Sequence, residues 1–415
     1  MNGNANFGII ADFIILAPLL MLLRAAAPRA AAMQIGSTLI GLYLVYTVAP
    51  RFLPFYLGFW AIIWALQYAV FAATKSSGAL SKLGTAIVLI VALSPMIVWK
   101  LWPDPFVNWT TETFAKAIFH GAPDLFPLDV LAPVIAPIGL SFATFRALDV
   151  LIKIRLDLLA PLNPLEMLYY GFFAPVLAVG PVIEYEEIRL PPKLERAPKS
   201  GDISVGLFRI ALGVVKVMIV AFALSALANH WWQGGKADWI AAWGALLVYG
   251  FYFYVNFSGY SDLAIGASRL LGLKLKENFN NPCTKTNPQQ FWASWHMSLT
   301  RWCQRYVFVP LGGMRANRQY IASFATIMAI ALWHAISWNM VIFGLFHAAF
   351  LLTHRFIENR RIKAKRKLSE NVAARALKSF GVFLYVSISI PLFTLRLQDI
   401  PEFYAKLAPS FGGSG

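Results

Sequence analysis

A histidine inside an apolar segment is the feature of this sequence with the clearest chemical meaning. His334 follows the apolar run Ile327 to Trp333 and precedes Ala335. Ionisable side chains are costly within a membrane or a protein core, and those found there are frequently functional. Imidazole accepts or donates a proton near neutral pH, which suits general acid–base catalysis. The pattern alone equally allows a buried histidine that ties two helices together through a carbonyl.

The remaining histidines carry weaker signals. His296 lies in the amphiphilic aromatic segment Phe291 to Ser298, where an interfacial residue among aromatic anchors is the simplest interpretation. His347 follows His334 by thirteen positions, which on one continuous helix is about 220° around the axis. The two should then face different directions, so a structural role is expected for His347. Solvated positions near loops or helix ends are expected for His120, His230 and His354.

The elements that position these residues are expected to be membrane helices. The 415 residues are 58% hydrophobic and 13% charged, whereas soluble domains carry about 25% charged residues. Mean hydropathy is +0.60. Apolar runs long enough to cross about 30 Å of hydrocarbon as helix recur along the chain. The sequence therefore predicts an all-α integral membrane protein, a polytopic helical bundle that forms a single domain over residues 1–415.

Eleven apolar segments are candidates for crossing the membrane. They are 7–24, 32–50, 53–73, 84–102, 131–150, 165–184, 206–228, 239–260, 320–335, 338–354 and 380–396. The loop 355–379 holds nine Lys or Arg and two Glu, so the positive-inside rule predicts that it is cytoplasmic. The loop 103–130 is poor in positive charge, which suits the outside.

Two segments are predicted to dip into the membrane without crossing it. If all eleven crossed, the basic stretches 185–205 and 267–319 would fall outside, against the positive-inside rule. Segment 165–184 is predicted to be re-entrant, because Gly180-Pro181 interrupts its helix. Segment 291–313, where apolar and polar residues are interleaved, is predicted to be a second one. The bundle is therefore expected to contain ten to eleven transmembrane helices with re-entrant segments.

The net charge, the cysteines and the N-terminal residues indicate which partners, metal sites and targeting signals are expected. The net charge of +16 does not indicate a nucleic-acid partner, because the basic residues fall in short loops that face anionic lipid. The two cysteines, Cys283 and Cys303, lack metal-ligand spacing, and no metal is expected. The N-terminus lacks the basic region and cleavage site of a signal peptide, so 7–24 is expected to be a retained span.

One polar stretch interrupts an otherwise apolar segment. Tyr254 to Asp262 contains serine, asparagine and glycine at the end of the span 239–260. Such a stretch could break the helix and line a tunnel, or it could be the helix end that meets the cytoplasm. The residues alone leave both alternatives open.

A series of short motifs in a fixed order resembles a known family. The motifs are Pro137 to Phe142, Gly180-Pro181, Asn256 to Gly266, Glu277 to Asn280, Phe291-Trp292, Trp295 to Leu299, Pro310 to Gly313, Leu332 to His334 and Gly344 to His347. As a set they resemble the membrane-bound O-acyltransferase (MBOAT) superfamily, in its bacterial branch of alginate O-acetyltransferases and teichoic-acid D-alanyl transfer proteins. The resemblance covers about residues 130–350 and implies the MBOAT fold.

The resemblance also implies roles for particular residues. His334 takes the position of the family's invariant catalytic histidine, and His296 that of the second histidine found in this branch. Substrate-binding positions along the donor path are implied for Trp295, Ser298, Asn278 and Trp333. No tightly bound cofactor is implied. The co-substrate is an acyl thioester, either acetyl-CoA or an acyl carrier protein with its phosphopantetheine.

The expected activity is transfer of an acyl group, more readily acetyl than D-alanyl, from a cytoplasmic thioester to a hydroxyl of an envelope or exported polysaccharide. The transfer is direct or passes through an extracytoplasmic acyltransferase, and the protein sits in the bilayer of a bacterial inner membrane. D-alanyl transfer from a carrier protein to a teichoic-acid-like polymer is the alternative. A polysaccharide or lipid transporter, and a non-catalytic assembly protein, are rivals from other classes.

The sequence departs from the family pattern at three places. Gln304-Arg305 precede Tyr306 where the branch has an Arg-Asp pair, which removes a carboxylate. Ala293-Ser294 replace a basic pair, and Ala335 stands where glycine commonly follows the histidine. The surface that meets the donor or a partner is therefore expected to differ from that of relatives.

Overall fold

The protein is built from helices that match the predicted apolar segments. The structure, a computed structural model, describes residues 4–26, 29–48, 50–75, 78–101, 139–177, 180–191, 199–232, 238–315, 317–363 and 371–409. These residues form helices, turns and loops, with no β-strand among them. The all-α prediction is therefore confirmed.

The described helices are numbered here in chain order. The first seven are α1 (Asn4–Ala26), α2 (Ala30–Val48), α3 (Leu53–Thr74), α4 (Ala79–Leu101), α5 (Leu140–Arg155), α6 (Pro164–Gly171) and α7 (Tyr185–Ile188). Then come α8 (Ser200–Val214), α9 (Phe222–Trp232), α10 (Trp239–Leu270), α11 (Pro288–Ser294) and α12 (Met297–Cys303). The last four are α13 (Gln319–His334), α14 (Trp338–Lys363), α15 (Val372–Thr394) and α16 (Ile400–Ala405). A π-helical segment, Val215–Ala221, joins α8 to α9, and another, Gln304–Phe308, follows α12.

Within the described residues, seven helical segments are long and apolar enough to cross a membrane. They lie in α2, α3, α4, α8 to α9, α10, α14 and α15, and their mean hydropathy is between 1.3 and 2.4. At most 44% of any of these segments is buried inside the protein. Large apolar side chains such as Leu39, Phe208 and Ile240 point outward. Because so much apolar surface needs a non-aqueous environment, the chain is a multi-pass membrane protein.

The predicted number of ten to eleven crossings is higher than these seven. The other predicted spans correspond to α1, with 23 residues, and to α5 and α13, with 16 residues each. A helix of 16 residues is about 24 Å long, which is short for a hydrocarbon core of about 30 Å. The number of crossings therefore remains a prediction. The predicted outer loop 103–130 and residues 131–138 of one span lie outside the described residues.

Neither predicted re-entrant segment forms a spanning helix. Segment 165–184 holds the eight-residue helix α6, followed by one 3-10 turn at Ala174–Val176. The hydroxyl of Tyr170 donates to the carbonyl of Ile183 at 2.8 Å, which ties the segment back on itself. Segment 291–313 is divided into α11, α12 and the π-helical segment. The described residues of neither segment form one long helix, and the dipping of both segments into the membrane stays a prediction.

The polar stretch Tyr254 to Asp262 neither breaks α10 nor ends it. The helix runs on to Leu270, ten residues beyond the predicted boundary. Asn256 and Ser258 are buried, with 3% and 4% of their surface exposed. The expected helix break and the expected helix end at this stretch were both wrong, because polar side chains that find partners within the protein do not need to interrupt a helix. Whether the stretch lines a tunnel stays a prediction.

The chain divides into two compact units. The first comprises residues 1–118, 135–214 and 259–276, and the second comprises 119–134, 215–258 and 277–415. In the first unit, Lys153 on α5 forms ion pairs with Asp149, Glu184 and Glu186 at 3.0, 2.9 and 2.7 Å. The second unit contains every predicted site residue. The single domain over 1–415 stays a prediction.

The core of the second unit is formed by α10, α15 and α16. Tyr249 and Tyr252 on α10 are fully buried in one cluster with Ile390 on α15 and Phe403 on α16. The partly buried rings of Phe343 and Phe346 on α14 pack against this cluster. These contacts hold the end of α15 near α14, and this arrangement positions the residues described next.

Candidate active site

His334 lies at the point where α13 ends and the chain turns into α14. It is the last residue of α13, and Ala335 after it is extended, with φ −155° and ψ 146°. The side-chain amide of Asn339 donates to the carbonyl of Leu395 at 2.6 Å and so fixes the start of α14 to the end of α15. The ring of Phe393 on α15 meets the half-buried His334 ring edge-on at 4.9 Å.

His296 lies in the sharp turn between α11 and α12. Its φ of 42° and ψ of 53° are left-handed values, which cost about 1–3 kcal/mol for a non-glycine residue and persist only when the surroundings hold them. Only 4% of its surface is exposed. The side chain that holds this turn is Asn278, which is itself fully buried.

Asn278 clamps the turn with both of its oxygen atoms. Its backbone oxygen accepts from the amide of Met297 at 2.8 Å. Its Oδ1 accepts from the amide and the hydroxyl of Ser298 at 3.2 and 2.8 Å, and lies 3.2 Å from Nδ1 of His296. Because an amide oxygen only accepts, this network assigns the histidine proton to Nδ1 and the lone pair to Nε2.

The structure brings both predicted catalytic histidines to one side chain, Trp333. The Trp333 ring lies 6.2 Å from the ring of His296 and 4.6 Å from that of His334, centroid to centroid. Residues 38 positions apart in the sequence therefore meet at a single half-buried indole. Two neighbouring imidazoles can move protons to and from a bound hydroxyl or thiol. In His296 the nitrogen that can accept a proton is Nε2.

Trp295, also predicted to bind substrate, packs behind this group. Its ring stacks on Phe291 at 5.6 Å and meets Phe279 edge-on at 5.2 Å. The ring of Phe257 contacts both Trp295, at 6.5 Å, and His296, at 4.8 Å. The described contacts of Trp295 are those of a support for the His296 turn, and its role in substrate binding stays a prediction.

His347 is part of this region, although the sequence interpretation set it apart. The angle between His334 and His347 was derived for one continuous helix, and that premise was wrong because α13 ends at His334 and α14 begins at Trp338. On α14, His347 is fully buried. Its ring lies 4.3 Å from Phe343, whose ring lies 5.5 Å from Phe393, the ring that contacts His334. The signal in the sequence was the motif Gly344 to His347.

Both nitrogens of His347 are hydrogen-bonded to α15. Nδ1 bonds the hydroxyl of Tyr385, and Nε2 lies 3.0 Å from Oγ of Ser389. The Ser389 hydroxyl donates to the carbonyl of Val386 at 2.6 Å, so Nε2 of His347 is the donor to Ser389. Nδ1 then accepts from Tyr385. These two hydrogen bonds join α14 to α15 at His347.

Replacing His347 by leucine is expected to destabilise the protein by about 2–4 kcal/mol, because the hydroxyls of Tyr385 and Ser389 lose their buried partner. Thermal unfolding of the purified protein in detergent measures the effect. The control is His354→Leu on the same helix, at a half-exposed position, which should shift the melting temperature far less. Equal shifts for the two variants would contradict the proposed tie between α14 and α15.

The His296 turn is expected to make stability depend on pH. His296 lies outside the seven spanning segments, and burial together with the charge of Arg301 lowers the pKa of His296 from 6.5 to about 3. The unfolded chain therefore binds this proton more readily than the folded one. Stability should fall as pH falls from about 6.5 to about 3, by at most about 1.4 kcal/mol per pH unit.

The variant His296→Asn tests this dependence, because asparagine tolerates positive φ and retains a donor but does not titrate. Melting temperatures measured between pH 7 and pH 4 should fall less for the variant than for the wild type. Identical pH dependence in both proteins would show that His296 contributes nothing to it.

The sequence departure at Gln304-Arg305 falls in the π-helical segment after α12. The guanidinium of Arg305 lies over the ring of Tyr306, 5.8 Å from its centroid, and that ring lies 4.9 Å from Trp302. Segments with π-helical geometry are frequent at functional sites. The position where the family pattern has a carboxylate therefore directly follows the helix that begins at the His296 turn.

Comparisons with known proteins identify the family. A model described as MBOAT, membrane-bound O-acyltransferase family, matches residues 155–395. The chain is 30% identical to the probable alginate O-acetylase AlgI of Azotobacter vinelandii over 287 residues, which are 68% of this chain and 56% of the relative. It is 28% identical to the teichoic acid D-alanyltransferase of Streptococcus thermophilus over 401 residues, 86% of this chain and 94% of the relative.

A third relative is the peptidoglycan O-acetyltransferase of Helicobacter pylori, 32% identical over 193 residues, which are 45% of this chain and 36% of the relative. The chain spans about half the length of the alginate O-acetylases that it matches. The family match covers more than half of the 415 residues and includes both histidines that meet at Trp333. The chain belongs to the membrane-bound O-acyltransferase family.

Proposed function

We propose that this protein is an O-acyltransferase that passes an acyl group, acetyl in preference to D-alanyl, from a cytoplasmic thioester to a hydroxyl of an envelope or exported polysaccharide. The observation that carries the proposal is the pair of histidines, His334 and His296, both in ring contact with Trp333. Proton transfer at an acceptor hydroxyl is the step that such a pair can catalyse.

In the proposed reaction the acceptor oxygen attacks the carbonyl carbon of the thioester. A C–O bond forms and the C–S bond breaks. His334 takes the hydroxyl proton and returns it to the departing thiolate, so that the imidazole is regenerated. His296 stays neutral at physiological pH, and its Nε2 lone pair accepts a hydrogen bond from the acceptor hydroxyl or the product thiol, which orients that group.

The acceptor side of the proposal is a polysaccharide reached directly or through an extracytoplasmic acyltransferase. The names of three relatives give the acceptors alginate, peptidoglycan and teichoic acid, which are bacterial polymers made or displayed outside the cytoplasm. A cytoplasmic donor and an outer acceptor require a protein in the bacterial inner membrane. The multi-pass architecture suits that location.

D-alanyl transfer from a carrier protein is the second candidate. It is favoured by the match to the streptococcal D-alanyltransferase, which extends over 94% of that relative. Acetyl transfer is favoured by the acetylases, which have the higher identities of 30% and 32%. We give preference to acetyl because the motifs from Ser258 to Asp262 and from Pro310 to Gly313 resemble the acetyltransferase side.

The experiment that separates the two candidates supplies each donor to membrane vesicles that contain the protein and the acceptor polymer. Radiolabelled acetyl-CoA should label the polymer, and a D-alanyl carrier protein should not. Labelling by the D-alanyl donor alone would overturn the choice of acetyl. Labelling by neither donor, with protein present in the vesicles, would contradict both candidates.

A further inference from the structure

The first helix, α1, carries an arginine on the face that it turns toward the protein. Leu16, Leu20 and Arg24 follow one another at intervals of four residues, and 2%, 0% and 5% of their surfaces are exposed. Residues four apart lie on one face of a helix. Arg24 therefore continues an inward-facing apolar stripe, and its charge lies among residues of the first unit.

The guanidinium of Arg24 lacks a counter-charge within the protein. Its Nε and Nη1 atoms make no hydrogen bond to any residue that the structure describes, and no carboxylate among those residues pairs with it. In the same unit, Arg209 and Arg269 pair with Asp262 and Asp202 at 2.9 and 3.0 Å. A buried charge without a hydrogen-bonded partner is strongly unfavourable. Another source of negative charge is therefore expected at Arg24.

Gly272 leaves open space beside this guanidinium. The glycine is exposed, lies two residues past the end of α10, and has a φ of 79°. A Cβ atom added to it would have one described neighbour within 4 Å outside its own chain segment, Nε of Arg24 at 3.6 Å. The space over Gly272 therefore lies between the protein surface and the arginine.

A second cation flanks the same glycine. In the segment that follows α10, buried leucines alternate with three exposed residues, Gly272, Lys274 and Lys276. Such alternation is typical of an extended chain and places Gly272 and Lys274 on one face, about 7 Å apart. Lys276 is paired with Glu184 at 3.1 Å, whereas Lys274 has no ion pair within the described part of the chain. Arg24 and Lys274 thus present two cations to the space at Gly272.

The end of α10 supplies only part of the negative charge that these cations need. The C-terminus of a helix carries about half an elementary negative charge. The two side chains carry one full positive charge each, so the space over Gly272 stays electropositive. A guanidinium binds the oxygen atoms of phosphate through two parallel hydrogen bonds, and an ammonium adds a point charge. The site therefore suits a phosphate group.

The site lies at the level of the lipid headgroups. The spanning segment Trp239–Leu270 ends two residues before Gly272. The headgroup layer adds about 5–8 Å on each side of the hydrocarbon core, so residues directly past a spanning helix lie within it. The site also belongs to the basic stretch 267–319, which the positive-inside rule predicts to be cytoplasmic. On that side, basic pockets between membrane helices bind anionic lipids.

We propose that Arg24, Gly272 and Lys274 form a binding site for the phosphate group of an anionic phospholipid. The phosphate oxygens accept hydrogen bonds from the guanidinium and from the Lys274 ammonium, and Gly272 leaves room for them. The lipid supplies the counter-charge that Arg24 lacks and joins the end of α1 to the end of α10. Lipid binding does not depend on acyl transfer, so this proposal stands or falls separately from the proposed function.

The test measures the melting temperature of the purified, delipidated full chain in detergent, with phosphatidylglycerol, phosphatidylcholine or inorganic phosphate added. Phosphatidylglycerol should raise the melting temperature of the wild type by a few degrees, because a ligand of the folded state stabilises it. Zwitterionic phosphatidylcholine should raise it far less. So should inorganic phosphate at the same concentration, because it has no acyl chains to concentrate it in the detergent micelle.

The double variant Arg24→Gln and Lys274→Gln should lose the rise caused by phosphatidylglycerol. Without lipid it should melt no lower than the wild type, because glutamine removes an unpaired buried charge. The matched control is Arg29→Gln, an exposed basic residue five positions beyond Arg24, which should keep the full rise.

Equal rises with phosphatidylglycerol in the wild type and the double variant would overturn the site. A double variant that melts well below the wild type without lipid would also overturn it, since Arg24 would then have a partner within the protein. Equal rises of the wild type with phosphatidylcholine would overturn the choice of an anionic lipid. An equal rise with inorganic phosphate would overturn the choice of a lipid as the source of the phosphate.

Discussion

Replacing His334 by alanine is expected to lower the acylation of the polymer in living cells by roughly 10²–10⁴-fold, the contribution of a positioned general acid–base group. The reason is that alanine can neither take the proton of the acceptor hydroxyl nor return it to the thiolate. The second histidine of the pair, His296, is held by the Asn278 clamp and cannot replace the imidazole at the end of α13. The measurement is the ester-linked acyl content of the polymer, normalised to the amount of membrane-inserted protein.

The fold is expected to survive this substitution. His334 ends its helix and is half-buried, and its described ring contacts are with Trp333 and Phe393. Truncation there removes part of one aromatic contact surface and does not open a fully enclosed cavity. The control is His230→Ala at the exposed end of α9, which should retain full acylation. Wild-type acylation by the His334 variant would remove the catalytic role of this residue.

Replacing Asn278 by alanine is expected to have the largest effect on stability, of about 3 kcal/mol or more. Three donors, the amide and hydroxyl of Ser298 and Nδ1 of His296, would lose their acceptor in a fully buried position. Each unsatisfied buried group costs about 1–3 kcal/mol. The left-handed conformation of His296 would also lose the contacts that maintain it. Activity should fall with stability, because His296 would no longer present Nε2 in one orientation.

Thermal unfolding in detergent, together with acyl transfer at a temperature where the variant stays folded, measures both effects. Asn359→Ala is the matched control, since its amide makes one described bond, to the Tyr320 hydroxyl at 3.0 Å, at a half-exposed position. It should shift the melting temperature only slightly. An Asn278 variant with the stability and activity of the control would show that the clamp does not maintain the His296 turn.

The membrane architecture could be predicted from the sequence because it depends on lengths and composition. A helix that crosses hydrocarbon must satisfy its own backbone, so the seven long apolar helices among the described residues coincide with predicted spans, although several extend beyond the predicted bounds. The division of 165–184 and 291–313 into short helices was also predictable, in the first from Gly180-Pro181 and in the second from interleaved polar residues, whereas their dipping into the membrane stays a prediction. Helix ends were less predictable. α10 extends ten residues beyond the predicted end at 260 because its polar residues are buried inside the protein.

The chemical groups of the site could be named from the sequence, but their arrangement could not. His334 and His296 were candidates because of residue type and the motif series. Their meeting at Trp333 depends on how α13 packs against the turn between α11 and α12, which no local pattern encodes. Asn278 was only one member of a motif, and its function as the acceptor for three donors depends on contacts 18 to 20 residues away.

His347 shows how one wrong assumption about local structure changes a functional interpretation. The angular separation from His334 was correct for an unbroken helix, but the extended residue Ala335 reverses the chain between them. Because His334 and His347 lie on two separate helices, an angle measured around one helix axis does not decide whether the two side chains can approach each other. The sequence Ser337-Trp338-Asn339 was the available sign of a helix start.

The measurement that tests the central claim most directly is turnover of radiolabelled acetyl-CoA by the purified protein in detergent, with wild type and His334→Ala side by side. The wild type should release thiol and transfer or hydrolyse the acetyl group, and the variant, folded to the same extent, should do neither above the uncatalysed rate. Equal turnover by the two proteins would contradict the assignment of the chemistry to the histidine at the end of α13.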